Sequence, residues 1–437
     1  MPPNRRAMGT KRPKNIQPNP VADDLVEIAY EEHVKNIDLV AIHLRDARNI
    51  LYSIPELDDN QALSKAAILL AMAALESNLT YLSSMALRFT ELRPNKFSRP
   101  HTLFLRGLEE EIDDNGRVVE KRKNQTLVER MQIVPGLLAR AVDRQYEIPR
   151  RSAASKKMQR TIARRDAIVH PKWDRYITVV GWWEAAEAID AVELYLHSVQ
   201  QCMHPYIIGY LSTLWTIKGP RKDDMGIGYR TFGKRGPNRN ISTMAELGIA
   251  EVLSTEWCDS MFMTQIALGH ECEKDSEGSM LTRAALVLLY AMLDAQLAVV
   301  SQWKMRENAS SFSEVELLFL NEVAVGVGHD GEVWMDTDQH SFKKRTKAIP
   351  AVLARCVDRK EFTVDLGASW AQDLLKGHAL RNKVMHSPAG ESIPRVSKEE
   401  LKLSINAVHT YFEELANGIP GAFGHMLVLL KDTAPPI

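Results

Sequence analysis

The chain has 437 residues, of which 45% are hydrophobic and 25% are charged, with 55 Lys+Arg against 56 Asp+Glu. This composition is typical of a folded globular protein and excludes collagen-like, low-complexity and wholly disordered chains. Because the formal net charge is −1, no overall positive field indicates nucleic-acid binding, and a polyanion would need a local basic surface. At ~100–200 residues per domain, the length predicts two or three domains.

The sequence predicts a cytoplasmic protein that makes no membrane contact. No run of ~18–20 consecutive apolar residues predicts a bilayer-spanning helix. The first twenty residues also lack the apolar stretch of a secretory signal. The four cysteines form no CxxC pair, which favours reduced thiols.

In chain order, the first elements are a polar tail and a series of helices. Residues 1–20 carry five basic residues and no acid and predict a disordered basic tail, with a nucleic-acid-binding arm as the alternative. Apolar residues at helical spacing predict helices within 25–51 and 64–82, the second rich in alanine. Asn115-Gly116 predicts the type I′ turn of a small β-hairpin inserted among the helices.

Residues 206–243 are rich in Gly, Pro and basic residues and predict a linker. A segment that contacts RNA is the alternative, since basic residues surround Tyr229 and Phe232. Gly228–Lys234 resembles a P-loop, but Arg235 replaces the Ser or Thr that holds Mg²⁺ and no apolar strand precedes it. We therefore do not expect a nucleoside triphosphate site.

Beyond the linker, the same series of segments begins again. Residues 64–79 align with 282–297, so that Glu76 falls on Asp294 at an offset of 218 (294 − 76). Three later blocks follow in the same order at nearly the same offset, starting at Val134 and Ile349, Arg165 and Arg381, and Ala188 and Ser404. The second copy also has a hairpin signal, Asp330-Gly331. This pattern indicates a tandem duplication.

The duplication predicts an all-α protein of two tandem helical bundles, each with a small β-hairpin. The first repeat spans 21–205 and the second spans 244–432.

One short motif occupies equivalent positions in the two repeats. An arginine is followed five residues later by a histidine at Arg165…His170 and at Arg381…His386, and nowhere else. With 31 Arg and 13 His in the chain, chance predicts about one occurrence. The equivalent positions, rather than the pattern itself, make the motif significant.

The surroundings of the motif suggest a phosphate site. Asp166 and Asn382 each precede a motif histidine by four residues, so on a helix they would face and orient the imidazoles of His170 and His386. A proline follows each histidine within two residues, which predicts that both lie at helix C-termini. An arginine beside an exposed histidine suits a phosphate, because guanidinium binds its oxygens bidentately. The alternative is a structural ion-pair role for both motifs.

These features resemble the HEPN superfamily. The resemblance rests on RDAIVH (Arg165–His170) and RNKVMH (Arg381–His386), together with AALES (Ala73–Ser77) and AMLDA (Ala291–Ala295) on the long apolar helices. Many HEPN proteins are metal-independent endoribonucleases whose two motifs meet across a dimer interface. For this chain the resemblance implies an intramolecular pseudo-dimer with one composite site.

The resemblance also implies roles for individual residues. Arg165 and Arg381 would bind the scissile phosphate, and His170 and His386 would be general acid and base in attack by the ribose 2′-hydroxyl. Because Asp166 should favour a charged His170 more than neutral Asn382 favours a charged His386, we expect His170 to be the acid and His386 the base.

Glu76 and Asp294 interrupt apolar helix faces, and in the resembling families an acid on this helix lies near the motif arginine. They would therefore position Arg165 and Arg381, the alternative being ordinary boundary carboxylates.

Two further sets of residues carry weaker predictions. Four basic residues near the first motif predict an RNA-binding face, with a solvated helix face as the alternative: Lys156, Lys157, Arg160 and Arg164. Cys202-x-His204 and His270-x-Cys272 contain zinc-type ligands, but their spacing matches no common zinc site. We predict no metal and no other cofactor.

The expected function is a metal-independent endoribonuclease that yields a 2′,3′-cyclic phosphate, as a toxin or antiviral defence effector. The alternative is a non-catalytic HEPN pair that binds RNA or a protein as a scaffold or regulator. RNA is the expected substrate, an antitoxin or sensor protein is a candidate partner, and a homo-oligomer is a candidate assembly.

Overall fold

The computed structural model describes part of the chain, and the predicted tail at 1–20 and linker at 206–243 lie outside it. The described residues are 28, 40, 42–51, 61–112, 118–123, 125–141, 143, 146, 153–169, 180–202, 249–269, 275–327, 333–337, 340–386 and 394–432. Helix accounts for 83% and strand for 4% of the structure, which confirms the predicted all-α class.

The elements of the first repeat begin with α1, which is helical over 42–51. They continue as α2 (Gln61–Leu92), α3 (Arg99–Arg106), β1 (Leu108–Ile112), β2 (Val118–Arg122), α4 (Leu127–Ala141), α5 (Ala153–Val169) and α6 (Trp182–Cys202).

The second repeat has the same order of elements. It comprises α7 (Ile249–Gly269), α8 (Asp275–Glu307), α9 (Glu314–Leu320), β3 (Val323–Val327), β4 (Val333–Thr337), α10 (Phe342–Leu353), α11 (Ser369–Met385) and α12 (Lys398–Gly418), followed by the short helices α13 (Pro420–Phe423) and α14 (Met426–Asp432). A π-helical turn, Ala354–Asp358, extends α10.

Both predicted β-hairpins are confirmed. Strands β1 and β2 pair antiparallel with Leu108 opposite Arg122, and β3 and β4 pair antiparallel with Val323 opposite Thr337. The turn residues that predicted the hairpins lie outside the described residues.

The two long helices α2 and α8 form the centre of the structure. Their alanine- and leucine-rich sequences are strong helix formers, and the buried side chains of both repeats form one contiguous hydrophobic core around them. By length and composition alone, Gln61–Leu92 and Met280–Glu307 could cross a membrane, but 89% and 94% of their most apolar windows are buried within the structure. Such burial is what a core helix requires.

An internal proline is accommodated in the same way in both repeats. Pro135 in α4 and Pro350 in α10 lack the N–H that would bond to the carbonyl four residues earlier. The freed carbonyl of Met131 accepts a hydrogen bond from the Tyr195 hydroxyl at 3.1 Å. In the second repeat Tyr411 donates to Thr346 in the same way at 3.0 Å. Each tyrosine therefore ties the last long helix of its repeat to the proline-containing helix.

Reciprocal buried ion pairs join the repeats. Lys65 on α2 contacts Glu256 at 2.8 Å and Asp259 at 2.7 Å on α7. Arg283, the equivalent of Lys65 on α8, contacts Asp46 on α1. Burial would lower the pKa of Lys65, but the two carboxylates raise it overall, so the ammonium stays charged. Each central helix is thus held to the first helix of the other repeat.

We expect Lys65→Met to destabilise the fold by about 3–5 kcal/mol, because it leaves two partly or fully buried carboxylates without their cation. Urea unfolding at neutral pH measures the effect. The matched control is Lys376→Met, which removes an exposed lysine paired with Asp373 at 3.2 Å and should cost less than ~0.5 kcal/mol. Equal losses for the two variants would contradict a structural role for the buried pair.

Candidate functional site

One buried carboxylate contacts motif residues from both repeats. Glu76 lies on α2 and is only 7% exposed. Its Oε1 accepts a hydrogen bond from Arg165 Nη2 at 2.9 Å, and its Oε2 lies 2.7 Å from His386 Nδ1. Arg165 of the first repeat and His386 of the second are therefore separated by the width of a single carboxylate.

The charge of Glu76 is strongly stabilised. Burial alone would raise its pKa, but the hydrogen bond with His386 and the positive charges of Arg165 and Arg130 lower that pKa from 4.5 to about 2. The carboxylate is therefore ionised at neutral pH. A buried charge of this kind requires cationic or hydrogen-bonding partners, and here they are Arg130 on α4, Arg165 on α5 and His386 at the end of α11.

The motif residues lie at helix ends, as predicted for His386. Helix α11 ends at Met385, and His386 follows it as the capping residue with φ −135° and ψ 43°. Arg381 is one turn earlier and is 8% exposed. Helix α5 ends at Val169, and His170 lies outside the described residues.

The polar residue after each motif arginine accepts a hydrogen bond from that arginine. Asn382 Oδ1 accepts a hydrogen bond from Arg381 Nη1 at 2.9 Å, and its Nδ2 lies 3.4 Å from Nδ1 of His378. Asp166 Oδ1 likewise accepts from Arg165 Nη1 at 3.0 Å. Because the imidazole of His386 contacts Glu76, Asn382 orients the arginine rather than the histidine.

This contact also removes the premise of our acid–base assignment. The assignment compared charged Asp166 with neutral Asn382 as neighbours of the two histidines. Since the partner of His386 is the charged carboxylate of Glu76, that comparison does not identify His386 as the base and His170 as the acid.

The two acidic residues on the central helices have different partners. Glu76 contacts the motif arginine of its own repeat, as expected. Asp294 on α8 instead forms an ion pair with Arg345 on α10, whose Nη2 lies 3.0 Å from Oδ1 and 3.1 Å from Oδ2. Arg381 is near enough for its charge to act on Asp294, but the expected direct pair is replaced.

Two arginines that our sequence reasoning missed complete the cluster. Arg345 is one, and its equivalent in the first repeat, Arg130 on α4, acts electrostatically on Glu76 and donates to Thr80 Oγ1 at 3.1 Å. Both precede the aligned blocks at Val134 and Ile349 by four residues. Extending that alignment by one helical turn would have found them.

The predicted basic face is partly neutralised. Arg160 and Arg164 both form ion pairs with Glu187 on α6, each at 2.5 Å. Lys156 is exposed and Lys157 half-buried on the same helix. The two arginines therefore join α5 to α6.

No group of three or more His, Cys, Asp or Glu side chains in the described part of the chain is arranged to hold a metal ion. His204, His270 and Cys272 of the zinc alternative lie outside the described residues, and Cys202 is described only as the end of α6.

The arrangement can bind an anion next to an imidazole. The Nε atoms of Arg165, Arg345 and Arg381 are buried and have no hydrogen-bond partner among the described residues. The cluster reaches solvent at its edge, where the side chains of His386 and Asp166 are 45% and 53% exposed. Unsatisfied guanidinium donors near an accessible imidazole suit a phosphate group.

No family model matches the sequence, and comparisons with curated proteins and with solved structures also give no match.

We expect Glu76→Gln to destabilise the protein by roughly 3 kcal/mol at pH 7, because the folded-state pKa of about 2 lies below the ordinary value of 4.5. A lowered pKa stabilises the fold fully above pH 4.5, and this contribution is lost as the pH falls towards 2. Urea unfolding of both proteins across this pH range should show the difference shrinking on acidification. Glu91→Gln, at an exposed position of the same helix, is the control, and a pH-independent deficit of Glu76→Gln would refute the assignment.

Proposed function

We propose that the protein is a metal-independent endoribonuclease with one composite active site built from both R-x4-H motifs. The observation that carries this proposal is the shared contact of Arg165 and His386 with Glu76. Motifs on opposite surfaces of the molecule would have argued against it. The resemblance of the motif segments to the HEPN superfamily agrees with the proposal.

The proposal includes an intramolecular pseudo-dimer of two HEPN-like bundles. Three observations support it: the matched order of elements in the two repeats, the equivalent proline–tyrosine arrangements, and the reciprocal pairs of Lys65 and Arg283 with the first helix of the other repeat. Exchange of equivalent contacts is the mark of a two-fold interface.

In the proposed reaction, the 2′-oxygen of a ribose forms a bond to the adjacent phosphorus while its proton passes to one histidine. The bond from phosphorus to the 5′-oxygen breaks, and that oxygen takes a proton from the other histidine. The products are a 2′,3′-cyclic phosphate and a 5′-hydroxyl. Because the nucleophile is the 2′-hydroxyl, the substrate is RNA and not DNA.

The site residues have distinct tasks in this scheme. Glu76 holds Nδ1 of His386, which leaves Nε2 to exchange the proton, as a carboxylate does for other catalytic histidines. The guanidinium groups of Arg165 and Arg381 stabilise the negative charge that develops on the phosphorane oxygens. His170 provides the second proton-transfer group. Roles as a toxin or defence effector, with an antitoxin or sensor partner and a cytoplasmic location, stay predictions.

The test is cleavage of a panel of end-labelled RNAs in EDTA. We expect the wild type to cut RNA, and His386→Ala and His170→Ala each to lose about 10²–10⁴-fold in rate, the usual contribution of general acid–base catalysis. His101→Ala is the control. His101 caps the short helix α3 through Ser98 and belongs to neither motif, so this variant should retain wild-type activity.

Product analysis and a second substrate complete this test. We expect a 2′,3′-cyclic phosphate end, and no cleavage where a single 2′-deoxy nucleotide replaces the nucleophile. Wild-type activity in His386→Ala would exclude the proposed mechanism. RNA binding without cleavage by the wild type would favour the non-catalytic alternative.

A further inference from the structure

The most unusual side chain in the cluster is that of Arg381. It is more than nine-tenths buried, yet no ion pair joins it to a carboxylate within the described residues. Its Nη1 donates to the neutral oxygen of Asn382, and its buried Nε has no partner. A buried guanidinium in this state is costly unless an anion completes its hydrogen bonds.

The carboxylate that could neutralise it is held by another residue. Asp294 is also buried, and both of its oxygens lie within 3.0–3.1 Å of Arg345 Nη2. A second acid, Glu322, lies 3.9 Å from Arg345 Nη1. The charge of Asp294 raises the pKa of Arg381, which burial lowers overall, so the two side chains interact electrostatically without forming an ion pair.

The first repeat distributes its partners differently. There the central acid, Glu76, contacts the motif arginine Arg165 directly, while Arg130 donates to Thr80. Arg165 is thus already paired with a carboxylate, and Arg381 is not. The two equivalent arginines therefore differ in their readiness to bind an added anion.

We propose that Arg345 is a positioning residue that holds Asp294 away from Arg381, and that Arg381 is thereby the principal guanidinium for the phosphodiester of bound RNA. This inference rests on the proposed function and specifies how the motif arginines of the two repeats differ. Arg345 acts through Asp294, whereas Arg381 contacts the ligand.

The experiment measures binding of a 2′-O-methyl RNA oligonucleotide, which cannot be cleaved by 2′-hydroxyl attack, by fluorescence anisotropy at constant ionic strength. We expect Arg381→Met and Arg345→Met each to weaken binding by about tenfold, the value of a lost charge-assisted hydrogen-bonding group. In Arg345→Met the released Asp294 pairs with Arg381 and blocks it.

The decisive variant is the double substitution Asp294→Asn with Arg345→Met. Removing the charge of Asp294 frees Arg381 again, so affinity should return to within about threefold of the wild type. A ligand-contacting Arg345 would give no such rescue. Asp294→Asn alone should bind at least as tightly as the wild type.

The matched control is Arg355→Met, which removes an arginine just beyond α10 that pairs with Glu316 at 3.0 Å and should leave affinity unchanged. Thermal unfolding confirms that each variant is folded, and Arg345→Gln, which also removes the charge that pairs with Asp294, replaces Arg345→Met in both the single and the double variant if that variant unfolds. Absence of rescue in the double variant, or weakened binding by Asp294→Asn alone, overturns the inference. Because the ligand is not cleaved, rescue upholds it even where the wild type cuts no RNA, so the two failures are distinguishable.

Discussion

The buried carboxylate of Glu76 is the constraint on which the candidate site depends. An ionised carboxylate away from water is stable only with cationic or hydrogen-bonding partners. Glu76 obtains them from α5 through Arg165 and from α11 through His386. Since Arg165 and His386 belong to different repeats, this one side chain contacts both repeats at once.

Packing and polar contacts around Glu76 hold the helices that carry its partners. Helices α2 and α8 are buried along most of their length, and Lys65 and Arg283 hold each of them to the other repeat. Tyr195 and Tyr411 contact helices α4 and α10. Their hydroxyls donate hydrogen bonds to the carbonyl oxygens that the internal prolines leave without a backbone donor. In both helices the arginine of the cluster directly precedes the residue with that carbonyl. The tyrosine hydrogen bonds therefore hold the backbone directly beside Arg130 and Arg345.

Much of the fold was predictable because its signals are local and occur twice. Helical spacing, alanine content and turn residues predicted the long helices and both hairpins, and the duplication supported each of them. The contact of Glu76 with Arg165 followed from a family resemblance. Contacts between the repeats were harder to predict from the sequence. Spacing within one helix placed Asn382 opposite His386, whereas the observed partner of His386 is Glu76, which is far away in sequence. Local periodicity describes which residues share a helix face, but not which distant carboxylate lies opposite.

The departures from symmetry have a physical reason of their own. In a homodimer equivalent positions must carry the same side chains, whereas tandem repeats within one chain can differ at them. Here Glu76 is matched by Asp294, which is shorter by one methylene, and Asp166 is matched by neutral Asn382. The first half consequently has two acids in contact with its motif arginine, while the acid of the second half contacts Arg345 and leaves Arg381 to its amide neighbour. At these two differing positions the second repeat thus leaves its motif arginine without a carboxylate partner among the described residues. Under the proposed function, this is the arginine to which a bound phosphate would add the most new hydrogen bonds.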